Sequence, residues 1–131
     1  MTVGELNRFL SENFNFYSVS PYVESLSEDH VTVVLPYAVG SLRPGGTIAG
    51  PALMALADTV AYVAILNHDV DALGALTTQL NINFLTRPAP GDLKGYGQPL
   101  KLGRRLAVVR VCIEDERGVL VAEASVTYSM P

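Results

Sequence analysis

Tryptophan is absent, cysteine occurs once, at Cys112, and histidine twice, at His30 and His68. One cysteine excludes an internal disulfide framework and a cysteine-built zinc site. Neither histidine has a second metal-type ligand at a persuasive spacing. Asn67-His68-Asp69-Val70-Asp71 superficially looks like a ligand run, but polar loops that end helices share this composition. No metal is expected. Charge is also scarce, at 17% of 131 residues with a formal net charge of -4. With no basic run in the chain, nucleic acid is not an expected partner. Glu5, Arg8 and Glu12 interrupt any apolar leader at the N-terminus, so a soluble, cytoplasmic protein is the expectation.

What the chain has in quantity is apolar residues, 49% of the total. That argues against disorder, and the length suits one domain, residues 1–131, with a core that needs no staples. So little charge also suggests that a second subunit covers part of the surface.

The most apolar stretch runs from Pro51 to Leu66, and Asp58 is its only charge. A helix apolar on every side is normally buried. It is too short to span a bilayer and carries a carboxylate. A buried carboxylate is costly unless it is paired, hydrogen-bonded or used. Asp58 is therefore either a structural carboxylate bonded to backbone or a functional one. Ahead of it lies a loop, residues 37–50, with Gly40, Pro44, Gly45, Gly46 and Gly50. Pro51 suits the first helical position.

Around that helix the periodicities predict a short amphipathic helix over residues 2–13 and an aromatic connector at 13–17. Strands are expected at about 22–28 and at Val31–Leu35, joined by the turn Glu28-Asp29-His30. After the central helix come strands from Gly74 to about Thr86, at 93–102, at Leu106–Glu114 and at Val119–Tyr128. Strict alternation in the first of these puts Leu76, Thr78, Leu80, Ile82 and Phe84 on one face. Thr77, Gln79, Asn81 and Asn83 fall on the other. Gly95 and Gly97 suggest a bend or bulge. There is no βαβ alternation, and short turns between late strands argue for an antiparallel sheet. An all-apolar helix must be wrapped by that sheet.

Four pieces carry a family resemblance. They are Gly46-Thr47-Ile48-Ala49-Gly50-Pro51 followed by Ala57-Asp58-Thr59; Asn81-Ile82-Asn83-Phe84-Leu85 with Pro88-Ala89 and Gly91; Gly103-Arg104-Arg105-Leu106-Ala107; and Gly118-Val119-Leu120-Val121-Ala122-Glu123. In this order they resemble hotdog-fold acyl-CoA thioesterases of the phenylacetate-pathway (PaaI-like) group. The resemblance covers roughly residues 21–130 and implies an α+β fold, a curved antiparallel sheet around one long helix. It implies Asp58 as nucleophile or general base, the Gly50 N–H as the group that polarises the thioester carbonyl, and Thr77 as a holder of the attacking water. Thr77 can equally be one more structural polar residue on its strand.

The substrate-binding candidates are Arg43, Ala49, Asn81, Arg87, Arg104 and Arg105. The arginines either meet acyl or phosphate groups or are solvated surface residues, and Arg43 can also cap its loop. The chain departs from the family in having Ala49 for a common histidine, Arg43 for a common asparagine and Pro51 for a second glycine. The implied activity is hydrolysis of an acyl-CoA, with coenzyme A as part of the substrate and no separate cofactor. The alternatives are a non-catalytic acyl-CoA-binding module and a hotdog dehydratase or hydratase. The last generally needs a histidine beside the carboxylate.

A helix N-terminus presents free N–H groups to a developing oxyanion. Pro51 has none, which leaves Gly50, Ala52 and Leu53 as donors. Eight residues at 1.5 Å each separate Gly50 from Asp58 by about 12 Å. One thioester carbon cannot reach both in a single chain. Catalysis therefore calls for a homo-oligomer, a dimer or a dimer of dimers, with two central helices antiparallel.

Overall fold

The computed structural model describes residues 1–131. Its first helix, α1 (Val3–Asn13), starts at Thr2, whose side-chain oxygen accepts from the Glu5 N–H at 3.1 Å. Leu6 and Leu10 are its buried face. Strands β1 (Tyr22–Leu26) and β2 (Val31–Leu35) form a hairpin, and a short hairpin of β3 (Leu42–Arg43) and β4 (Thr47–Ile48) leads to α2 (Gly50–His68). Then follow β5 (Leu76–Phe84), β6 (Leu93–Leu102), β7 (Leu106–Glu114) and β8 (Leu120–Ser129). The main sheet has the order β1-β2-β6-β7-β8-β5, and every neighbouring pair is antiparallel. It curves around α2, which is the hotdog architecture.

At 19 residues α2 is longer than the expected segment, and by length and composition alone it could cross a membrane. Most of it is buried within the chain, against the sheet and the N-terminal segment. Leu53, Leu56, Val60, Val63, Ile65 and Leu66 are all buried in one cluster with Val33, Val109, Val111 and Val126. Phe14 and Phe16 pack against the same core, as an aromatic connector would. Pro51 sits one place later than expected, since Gly50 is the first helical residue and Ala49 the cap.

Gly95 and Gly97 do not mark a bulge. The irregularity in β6 falls between Pro99 and Lys101. A Cβ on either glycine would lie 2.6 Å from a Val60 methyl. Their bareness lets α2 lie directly on the sheet backbone.

The far end of the sheet is tied by Asp115, which is 4% exposed. Its carboxylate accepts from the backbone N–H groups of Ala89 (3.0 Å) and Arg117 (2.9 Å) and from Arg117 Nη2 (2.6 Å). Arg117 Nη2 also donates to the Arg87 carbonyl oxygen at 3.1 Å, so the β5–β6 and β7–β8 loops are one unit. Burial pushes the Asp115 carboxyl up, but Arg117 and the N–H groups of Ala89, Arg117 and Val119 outweigh it and hold the group at about 2.

Two stability predictions follow from these contacts. Gly97→Ala should cost about 1–3 kcal/mol by overpacking, read by urea denaturation. Asp115→Asn should cost about 2–3 kcal/mol at neutral pH. A depressed carboxyl stabilises above its unfolded pKa and loses that contribution as pH falls through its folded one. The gap between wild type and Asp115→Asn should therefore close between about pH 4 and about pH 2. A gap that stays constant over that window would contradict the assignment.

Candidate active site

Asp58 lies near the middle of α2, half-buried where the helix faces β5 and β8. Its Oδ1 accepts two hydrogen bonds, from Thr77 Oγ1 at 2.6 Å and from the Tyr128 hydroxyl at 2.8 Å. The same Tyr128 hydroxyl lies 3.1 Å from the Asp58 main-chain oxygen. Oδ2 has no partner in the chain, and it is not sealed from water, since no buried polar side-chain atom lacks a partner. The carboxylate is thus bonded to side-chain hydroxyls rather than to backbone, with one oxygen anchored and one open. Thr59 takes no part, because its hydroxyl donates back to the Ala55 carbonyl at 2.8 Å.

Thr77 reaches Asp58 because β5 is not regular. Its pairing with β8 slips between Thr77 and Gln79, leaving Thr78 as the extra residue. Thr77 lies opposite Tyr128, while Leu80, Ile82 and Phe84 oppose the inward-facing Val126, Ala124 and Ala122. The alternation expected from the sequence is therefore broken. Thr77 joins the inner face, and Gln79, Asn81 and Asn83 point outward. Asn81 pairs with exposed Ser125 on that outer face and does not approach Asp58. The bulge turns it away from Asp58 of its own chain.

Tyr128 is the residue that sequence reasoning missed. It stacks on Tyr62 with ring centroids 5.8 Å apart and planes 12° apart. Burial, aided by the Asp58 charge, pushes its phenol well above the ordinary tyrosine value, so it keeps its proton. A signal was present. The inward residues of β8 run Ala122, Ala124, Val126, Tyr128, and a hydroxyl ending an otherwise apolar row needs a partner.

The second half of the site is the α2 entrance. Gly45 (φ 100°) and Gly46 (φ 79°) turn the β3–β4 hairpin. The Ala49 N–H donates to the Ser41 carbonyl at 2.8 Å and fixes the approach. The Ala52 N–H is spent on the Ala49 carbonyl at 3.0 Å, so it leaves the set of candidate donors. The Gly50 N–H finds no acceptor in the chain. The Phe84 ring lies across Gly50, where a Cβ would sit 3.4 Å from it.

A cleft of about 740 Å³ opens here, lined by Arg43, Gly50, Leu53, Met54, Phe84 and Arg87 among others, with no acidic residue. Ala49 caps the helix beside it without lining it. Arg104 and Arg105 line a second pocket with Lys101 at the opposite end of the sheet. That is the Thr77 end, since Leu106 and Leu76 both pair with Ser129. Asp58 does not line the Gly50 cleft, and the two half-sites stand apart within the chain. His68 is no partner for Asp58 either, since its ring lies 2.8 Å from the Glu28 carbonyl at the far end of α2.

The sequence profile of the thioesterase superfamily matches residues 45–122, which hold the entrance, α2, β5 through β7 and the start of β8. A Saccharolobus solfataricus protein provisionally named an esterase is 30% identical over 93% of this chain and 85% of its own length. A provisionally named thioesterase from a Silicibacter species is 34% identical, with a TM-score of 0.82 over 100% of this chain and 92% of its own. A hypothetical thioesterase from Streptococcus pneumoniae, solved with coenzyme A, is 25% identical, with a TM-score of 0.74 over 84% of this chain and 87% of its own. The profile covers more than half of the chain, and the chain belongs to the thioesterase superfamily.

Proposed function

We propose that the protein is an acyl-CoA thioesterase, of the PaaI-like kind, whose active site is completed across a homodimer interface. The observation that carries this reading is Asp58, with Oδ1 anchored by Thr77 and Oδ2 open. The coenzyme A bound by the streptococcal relative supports the ligand class. A cytoplasmic setting goes with it.

The interface follows from β5. It is an edge strand, exposed along most of its length, with Leu76 at 70% and Phe84 at 53%. Such an edge is a template for another strand. Two β5 strands paired antiparallel set two α2 helices side by side, with Asp58 of one facing Gly50 of the other. The same pairing brings the Arg104–Arg105 end of one chain toward the Arg43 and Arg87 cleft of its partner. These arginines supply the charge for coenzyme A phosphates or an acyl substituent.

In the reaction the thioester carbonyl accepts from the Gly50 N–H of the partner. Thr77 has its hydrogen on Asp58, so toward solvent it offers lone pairs only. A water that donates one hydrogen to Thr77 Oγ1 and one to Asp58 Oδ2 keeps its own lone pairs for attack. Asp58 takes the proton as the carbon–oxygen bond forms, and the oxyanion rests on Gly50. Collapse breaks the carbon–sulfur bond and expels the thiolate, which needs no strong acid to leave. Direct attack by Oδ2 to give an anhydride, followed by hydrolysis, uses the same geometry. Single turnover in 18O-water detects an anhydride opened at the Asp58 carboxyl carbon, since only that route leaves an Asp58 oxygen in the acid.

A thiol-release panel of short, long and aromatic acyl-CoAs should find a substrate. Asp58→Asn should then lower kcat by about 10²–10⁴-fold. Unchanged turnover would remove Asp58 from the mechanism, and tight acyl-CoA binding without turnover in the wild type would favour a binding module. Asp58→Asn and Gly50→Pro homodimers should both be inactive, since proline at the first helical position keeps the helix and removes the N–H. Mixed and refolded together, they should regain activity, because the heterodimer keeps one intact composite site. No recovery in a verified heterodimer would place both groups in one chain.

A further inference from the structure

We propose that Tyr128 is a positioning residue for Asp58: it fixes the carboxylate so that Oδ2 alone is the reacting oxygen. The proposal rests on the thioesterase reading above and adds a residue to it. Three features of the geometry carry it.

The Tyr128 hydroxyl addresses one residue at two points, Oδ1 at 2.8 Å and the main-chain oxygen at 3.1 Å. A group tied to both ends of Asp58 restricts rotation about the side chain. Thr77 adds a second donor to the same Oδ1 from a different strand. An oxygen with two donors is satisfied, and an oxygen with none is left for water or substrate.

The phenol is also held in place. Tyr128 is 5% exposed, and its ring is stacked on Tyr62, one helical turn beyond Asp58. The Tyr62 hydroxyl donates to the Leu73 carbonyl at 2.7 Å, and its ring meets Phe9 and Phe14 of the N-terminal segment. Tyr128 is therefore fixed by its own strand and by a stack that reaches α1. A side chain this constrained can hold a carboxylate within the narrow limits catalysis needs.

Both hydroxyls, finally, commit their hydrogens to Asp58. Neither can donate to the attacking water and blunt its lone pairs. A phenylalanine at 128 would preserve the stack and lose only this direction.

Tyr128→Phe tests it, because ring and packing survive. Hydrogen bonds to charged groups are worth about 1.5–3 kcal/mol, or about 10–150-fold in rate. The expected result is a kcat lower by about that factor with KM within about twofold, read at a temperature where the variant is fully folded, since the lost bond also lowers stability. A merely structural tyrosine would move stability and leave kcat alone, and that outcome overturns the proposal. Crystal structures of wild type and Tyr128→Phe provide a readout that needs no activity. The Asp58 carboxylate should hold one orientation in the first and rotate or spread over several in the second. An unchanged single orientation in the variant also overturns the proposal. If the wild type releases no thiol from any acyl-CoA, the thioesterase reading fails, and the crystallographic comparison decides the positioning claim by itself.

Discussion

A helix without a polar face has no stable place at a water surface, and most of this structure answers that constraint. The hydrophobic side chains of α2 need cover all round, so the sheet must curve and the helix must lie close to it. Closeness is achieved by removing side chains rather than by adding them. Gly95 and Gly97 leave room for Val60 to rest on the backbone of β6. One side remains uncovered, along β5, and there the only charge of the helix finds its partners. The site occupies the place where the enclosure stops.

The same constraint explains what could be read in the sequence. Burial of α2 was legible because it is a property of composition, and Asp58 stood out as its one exception. Entrance glycines and the succession of the six long strands along the chain were legible from turn chemistry and periodicity, while the short β3–β4 hairpin was read as loop. The faces of β5 were not. Alternation assigns faces by counting, and one extra residue at Thr78 reverses the count for everything on one side of it. Thr77 was expected beside Gln79 and Asn81, and the bulge sent it inward and them outward. The glycines of β6 were legible as an irregularity, but they mark no bulge, because their reason lies on a different element.

Tyr128 shows a further limit. Asp58 and Tyr128 are 70 residues apart in sequence, so nothing local to either announces the pair. What local reading can supply is an unpaired need: a carboxylate in a greasy helix, and a hydroxyl at the end of a greasy strand row. Both needs were in the sequence, and one was followed. Each polar group on an inward face requires a partner in the finished structure. Matching such needs across elements is therefore a physical argument, available before any coordinates. Here it would have joined α2 to β8 and identified the anchor of the carboxylate.

The entrance poses the opposite problem, a need left open in the folded chain. The Gly50 N–H has no acceptor, Asp58 Oδ2 has no donor, and about 12 Å of helix keeps them from serving one carbonyl. Neither vacancy is costly where solvent reaches it. In a dimer that closes over β5, both lose water and face each other across the two-fold axis. A thioester placed there gives Gly50 its acceptor, and the attacking water gives Oδ2 its donor. The groups the monomer leaves unsatisfied are then those the reaction satisfies, and each gains strength as the interface excludes water. On that argument the edge strand and the proposed catalytic groups form a single design. A variant that keeps Asp58, Thr77 and Tyr128 intact but prevents β5 from pairing should be folded, monomeric by sedimentation and inactive.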